Sequence, residues 1–146
     1  MTPSPERRFR AGLVQLRSGR SMAANLEMAE RLIRRAAQGG AIYVQTPENT
    51  AIMELKPELV LQAAQTEDES VALARLRALA AELGIFLHVG SLAIKLDETR
   101  VANRSYLIDP QGKIHYKWAG PQDWLGKEVL ENLDRILKIQ GLEPNL

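Results

Sequence analysis

Glu48 is the residue in this chain best placed by its neighbours to do chemistry. It closes the run Ala41-Ile42-Tyr43-Val44-Gln45-Thr46-Pro47-Glu48-Asn49. A proline just before it fixes the backbone and removes a donor. That pattern presents a carboxylate at the carboxyl end of a buried strand, where open α/β sheets gather ligands. Partly desolvated there, the carboxyl would have a raised pKa and suit general-base work. The structural alternatives are an N-cap or a salt bridge to a nearby arginine. Lys113 and Lys117 flank His115 and are candidates to stabilise developing negative charge; solvated strand lysines are the other reading. His88, between Leu87 and Val89, reads as an interior histidine, and His115 as a surface one. Ser91 follows Gly90 without a Gly-x-Ser-x-Gly elbow, and Asn103 is placed to hydrogen-bond a loop carrying the site.

The rest of the sequence narrows the chemistry by omission. There is no cysteine, and two distant histidines give no metal-ligand spacing. No Gly-rich phosphate loop is present, so no cofactor is expected. Nineteen basic and eighteen acidic residues in 146 leave a net charge of +1, and no global field draws nucleic acid. Arg7-Arg8-Phe9-Arg10 reads as a solvated N-terminal arm. No apolar run nears the roughly 20 residues a membrane span requires. Residues 1–6 lack a signal-peptide core, so a cytoplasmic location is expected.

These residues need elements to position them. Residues 11–16 read as a strand. Ser21 caps a helix whose apolar stripe is Met22, Leu26, Ala29, Ile33 and Ala36, and Gly39-Gly40 ends it. Residues 41–45 form the second strand, parallel to the first. Pro57 opens a short helix. Residues 66–70 lead acidic side chains into a longer one, with Ala72, Leu76, Leu79, Ala80 and Leu83 buried and Gly84 as its stop. Residues 85–91 read as a third strand, 93–96 and 101–108 as strands about a polar turn, and 109–112 as a β-turn into a strand over 113–118. Trp118 and Trp124 bracket a Gly-Pro break and read as packing residues. Asp123 then caps a last helix with Leu130, Leu133, Ile136 and Leu137 as its stripe, ended by Gly141 and Pro144.

Taken in order, the segments resemble the nitrilase, or carbon–nitrogen hydrolase, superfamily over about residues 10–114. The similarity lies in Val14-Gln15 of the opening strand, Asn25-Leu26, residues 41–49, residues 80–85 running into Gly90-Ser91, and residues 102–112 as an Asn-x-Ser hairpin. The subgroup resembled is the amidases of small linear ω-amides or deaminated glutathione. The resemblance implies a four-layer α-β-β-α fold, of which this chain would be a partial sandwich half. It also implies Glu-Lys-Cys chemistry, with the cysteine attacking an amide carbon, the glutamate as base and the lysine steadying the oxyanion. Glu48 falls at the glutamate position. The family lysine closes a Tyr-x-Lys strand after the hairpin. Here Gly112-Lys113-Ile114-His115-Tyr116-Lys117 offers Lys113 in a Lys-Ile-His and Lys117 directly after Tyr116.

The expectation is therefore an α/β chain with a β-α-β-α-β start, antiparallel hairpins and a C-terminal helix. Residues 1–10 would be an arm, 11–118 the hydrolase-like portion and 119–146 an unmatched, truncated-looking amphipathic tail. A small amide would be the substrate of the complete machinery, and the chain alone, without a thiol, would be inactive. The alternative is a non-catalytic half-domain that covers its apolar sheet face with a partner or a second copy, as a homodimer. A flavodoxin-like binding domain fits the opening rhythm but not the later hairpins.

Overall fold

The computed structural model describes residues 8–139. The chain divides into two compact units, Ala11–Gly120 and, separately, Met1–Arg10 with Pro121–Leu146.

The larger unit is one sheet with its two longer helices packed on one of its faces. Its elements are β1 (Ala11–Leu13), α1 (Met22–Gln38), β2 (Tyr43–Gln45), α2 (Pro57–Ala63), α3 (Val71–Leu83), β3 (Phe86–Lys95), β4 (Val101–Ile108) and β5 (Ile114–Ala119). The strands lie in sequence order, β1-β2-β3-β4-β5. The first two pairings are parallel and the last two antiparallel. Both parallel crossovers step the same way along the sheet. Right-handedness therefore puts α1 and α3 on one face.

Ser21 Oγ accepts the Ala24 N–H and starts α1, and Ser70 Oγ accepts the Leu73 N–H and starts α3. Gly84 ends α3 in the left-handed conformation, φ 63°, which costs a glycine little. Leu26, Ala29 and Ile33 of α1 and Leu73, Leu76 and Ala80 of α3 close over Val44, Leu87, Val89, Tyr106 and Ile108 of the sheet. Burial of this apolar stripe is the main stabilising term. Arg34–Glu82 and Arg75–Glu30 ion pairs link the two helices at the surface and add little.

Three expectations change. β1 is three residues, not six, because β2 itself stops where the chain turns at Thr46-Pro47, and proline offers no N–H to continue a ladder. Residues 85–91 and 93–96 are one strand, β3, carried through an irregularity between Val89 and Leu92. In the smaller unit, α4 (Lys127–Ile139) starts later than Asp123. Asp123 Oδ1 instead accepts the Leu125 N–H in a local turn, closed by Gly126 N–H on the Asp123 carbonyl. Val129 and Ile136 are its buried positions, whereas Leu130 is exposed. The side chain of Leu137, and Gly141 and Pro144, lie outside the described residues. Among the described residues no helix is long and apolar enough to cross a membrane.

Gly90 is the tightest point of the sheet. A Cβ there would stand 2.3 Å from the Thr46 carbonyl oxygen and 2.4 Å from the Pro47 carbonyl carbon. Both are backbone atoms and cannot swing aside. We expect Gly90→Ala to lower unfolding free energy by about 3 kcal/mol, at the upper end for overpacking. Urea denaturation checks this, and a loss below about 0.5 kcal/mol would contradict the close approach.

Candidate functional site

Glu48 sits in the turn that leaves β2, and buried hydroxyls grip that turn from beneath. Thr46 N–H donates to the His88 carbonyl at 3.0 Å, and Thr50 N–H to the Ser91 carbonyl at 3.1 Å, so both ends are tied to β3. Asn49 N–H donates to Ser91 Oγ at 2.8 Å. Thr46 and Thr50 share a hydroxyl–hydroxyl bond of 2.8 Å, and Thr50 Oγ1 donates to the Pro47 carbonyl at 2.7 Å. Ser105 Oγ donates to the Gly90 carbonyl. Thr46, Thr50, Ser91 and Ser105 are all buried. Asn49 takes a positive φ of 55°, a conformation asparagine tolerates better than most side chains. The backbone is thereby fixed on both sides of Glu48.

The side chain is oriented by one further bond. Asn103 Nδ2 donates to Glu48 Oε1 at 2.9 Å. A carboxylate accepts through two oxygens, so one amide bond aims it without saturating it. Glu48 is exposed, in contrast to the partial desolvation expected from its sequence setting. The turn carries it past the end of the buried strand, and the side chain stands in solvent.

A cleft of about 720 Å³ is lined by Asn103, the partner of Glu48, and by Asn49, its chain neighbour. Val60 and Leu61 of α2, Ala93 of β3 and Val101 and Ala102 of β4 are also among its lining residues.

The two lysines are not brought to Glu48. Lys117 lies opposite Tyr106 in the β4–β5 register, and its Nζ donates to Glu67 Oε1 at 2.7 Å. Arg104 Nη1 and the Tyr106 hydroxyl both donate to Glu67 Oε2, at 2.6 and 2.9 Å. Arg104 and Tyr106 project from one face of β4, and Asn103 from the other. Lys117 and Glu48 are thus separated by the sheet. Lys113 stands at the other end of the sheet, where its N–H donates to Asp109 Oδ1 in the β4–β5 turn. Glu67 thus takes three side-chain donors, all from β4 and β5, where its sequence setting before α3 suggests only a helix-dipole partner. Burial pushes its carboxyl up, but the bonds from Lys117, Tyr106 and Arg104 outweigh that and hold it below the ordinary value. Ser91 has no nucleophile elbow in the sequence around it. Its real partner, the Asn49 N–H, follows only from the register of residues far apart in sequence.

His88 is interior. Its Nδ1 and the Tyr43 hydroxyl are 2.7 Å apart, and its ring lies 5.6 Å from that of Trp118. Burial pushes Tyr43 up to about 12 and His88 down to about 4. His115 Nε2 meets Asp109 Oδ2 at 2.8 Å. Among the described residues no group of three or more His, Cys, Asp or Glu is placed to hold a metal.

A fold of this topology, with a carboxylate at the carboxyl end of its second strand, is that of the carbon–nitrogen hydrolases. The chain belongs to that family: the carbon–nitrogen hydrolase family model matches residues 10–130, past the point where the quoted motifs stop. Among solved structures it is similar to a mutant of the Nesterenkonia AN1 amidase from the nitrilase superfamily, with 24% identity and a TM-score of 0.70. That match covers 81% of this chain and 45% of the amidase, so the chain spans less than half the amidase's length. Another mutant of the amidase, bearing the acetamide moiety of fluoroacetamide on its active-site cysteine, matches 90% of this chain at 23% identity and a TM-score of 0.68. The C. elegans NitFhit protein matches 77% of this chain and 27% of its own, at 21% identity and a TM-score of 0.64. No curated protein matches significantly.

The burial of His88 generates a pH prediction. Unfolded, the imidazole titrates at its ordinary 6.5; folded, it stays neutral down to about 4. Below 6.5 the unfolded chain therefore binds the extra proton, and stability falls as pH falls. We expect a loss of roughly 2 kcal/mol between pH 6.5 and about 4.5. The loss should be absent in His88→Phe, and equal slopes in the two proteins would refute it.

Proposed function

We propose that this chain is the glutamate-bearing portion of an amidase of the carbon–nitrogen hydrolase family. Glu48 is its general base and a small linear amide its substrate. The observation that carries the reading is the Asn103–Glu48 bond on a turn locked by Ser91 and Thr50. Pre-oriented carboxylates of this kind accept protons efficiently because little reorganisation is left to do. The sequence resemblance to amidases of linear ω-amides and deaminated glutathione supports the substrate class as far as a linear amide.

The reaction would begin with Glu48 taking the proton of a cysteine thiol as the sulfur attacks the amide carbon. Glu48 would return that proton to the amide nitrogen, which leaves as ammonia as the C–N bond breaks, and the regenerated carboxylate would then activate the water that hydrolyses the thioester to acid and free thiol. This chain contains no cysteine, so it supplies the base and not the nucleophile. Lys117 has its ammonium on Glu67 and Lys113 lies at the other end of the sheet; neither has a part in this reading. The missing thiol also favours a second reading, a non-catalytic half-domain that joins a partner or a second copy.

The test is a reading of the encoding DNA beyond the codon for Leu146, coupled to an ammonia-release assay. The chain by itself should release no ammonia from linear amides. A product whose frame continues to a cysteine should release it, and Glu48→Gln should lower kcat at least about a hundredfold. Turnover by the 146-residue chain, or full activity in Glu48→Gln, would overturn the proposal. A confirmed stop would favour the second reading.

A further inference from the structure

The cleft beside Glu48 carries information about the substrate's far end. Half of its lining is aliphatic: Leu55, Val60, Leu61, Ala93, Val101 and Ala102. Its volume of about 720 Å³ lies within the range typical of small-molecule sites. Asn49 and Asn103 also line it, and Asn103 is the residue that touches Glu48.

The charges along the cleft have one sign. Glu54 and Glu58 are among the lining residues, and among the described residues no lysine, arginine or histidine lines it. Glu54 is already compensated, because it accepts the Leu55 and Lys56 N–H groups and pairs with Arg20 at 2.9 Å. Glu58 is exposed, in the first turn of α2. A substrate whose far end carries a carboxylate would enter a cleft that Glu58 lines and in which no described lining residue is a cation. A neutral chain would lose nothing, and an ammonium would gain.

We propose that the cleft seats the chain of a linear aliphatic amide whose far end is neutral or cationic, and discriminates against one that ends in a carboxylate. This rests on reading Glu48 as the base of an amide-cleaving site, and it separates the chain from enzymes whose substrates are half-amides of dicarboxylic acids.

The experiment is a nitrogen-15 NMR titration of this chain, at low ionic strength, with hexanamide, its ω-amino derivative and the monoamide of adipic acid. The first two should shift the backbone resonances of Leu61, Ala93 and Ala102. The anionic amide should bind at least about tenfold more weakly. Glu58→Lys, a change at an exposed position, should narrow or reverse that order, and added salt should weaken it. Equal or tighter binding of the anionic amide, or no response of the cleft to any of the three, would overturn the proposal. Binding is read without turnover, so the two claims separate. Loss of the charge preference sinks the cleft assignment and leaves Glu48 as the base, whereas full activity of Glu48→Gln in the ammonia assay sinks the base and, with it, the cleft as a substrate site, while the measured order of binding stands.

Discussion

The structure depends on the passage of β3 beneath the Thr46–Pro47 backbone. At Gly90 the two chains are so close that no side chain fits between them. That proximity places the Ser91 hydroxyl under the Asn49 N–H and the Ser91 carbonyl under the Thr50 N–H. A turn leaving a strand end would ordinarily be among the more mobile parts of a domain. Here buried hydroxyls satisfy its polar groups from below, and an unpaired one would be expensive. The turn becomes an extension of the sheet, and Glu48 inherits its precision.

The same sheet has two chemically different faces. Toward α1 and α3 it is an ordinary aliphatic core with Tyr106 at its edge. There the Tyr106 hydroxyl, Arg104 and Lys117 converge on Glu67 and pin the edge strand β5 to the loop before α3. The opposite face carries Tyr43, Phe86, His88, Tyr116 and Trp118, with His88 buried and neutral. Strand alternation sends Asn103 and Arg104 to opposite faces, and so decides that Asn103 meets Glu48 while Lys117 meets Glu67.

Much of the fold was legible in the sequence because it is local. Ser21, Gly84 and Pro57 announce helix boundaries through capping and backbone preferences, and the structure uses them at those positions. Asn103 was also legible as a partner for the turn, since its motif places it at the start of a hairpin strand. What was not legible is register. Nothing local shows that β3 continues through Gly90 and Ser91 as one strand, and a one-residue slip would change every partner. Glu67 shows the same limit: its three donors lie 37 to 50 residues away. The solvent exposure of Glu48 is likewise invisible in a run that reads as buried strand.

The central claim is that the turn bearing Glu48 is rigid because β3 grips it, and hydrogen exchange at the Asn49 amide tests this most directly. The account predicts that this N–H, bonded to Ser91 Oγ, exchanges far more slowly than an exposed turn amide. In Ser91→Ala it should speed up at least about tenfold, while the Val44 and Leu87 amides of the sheet keep their protection. An Asn49 amide that exchanges freely in the unmodified chain would contradict the account.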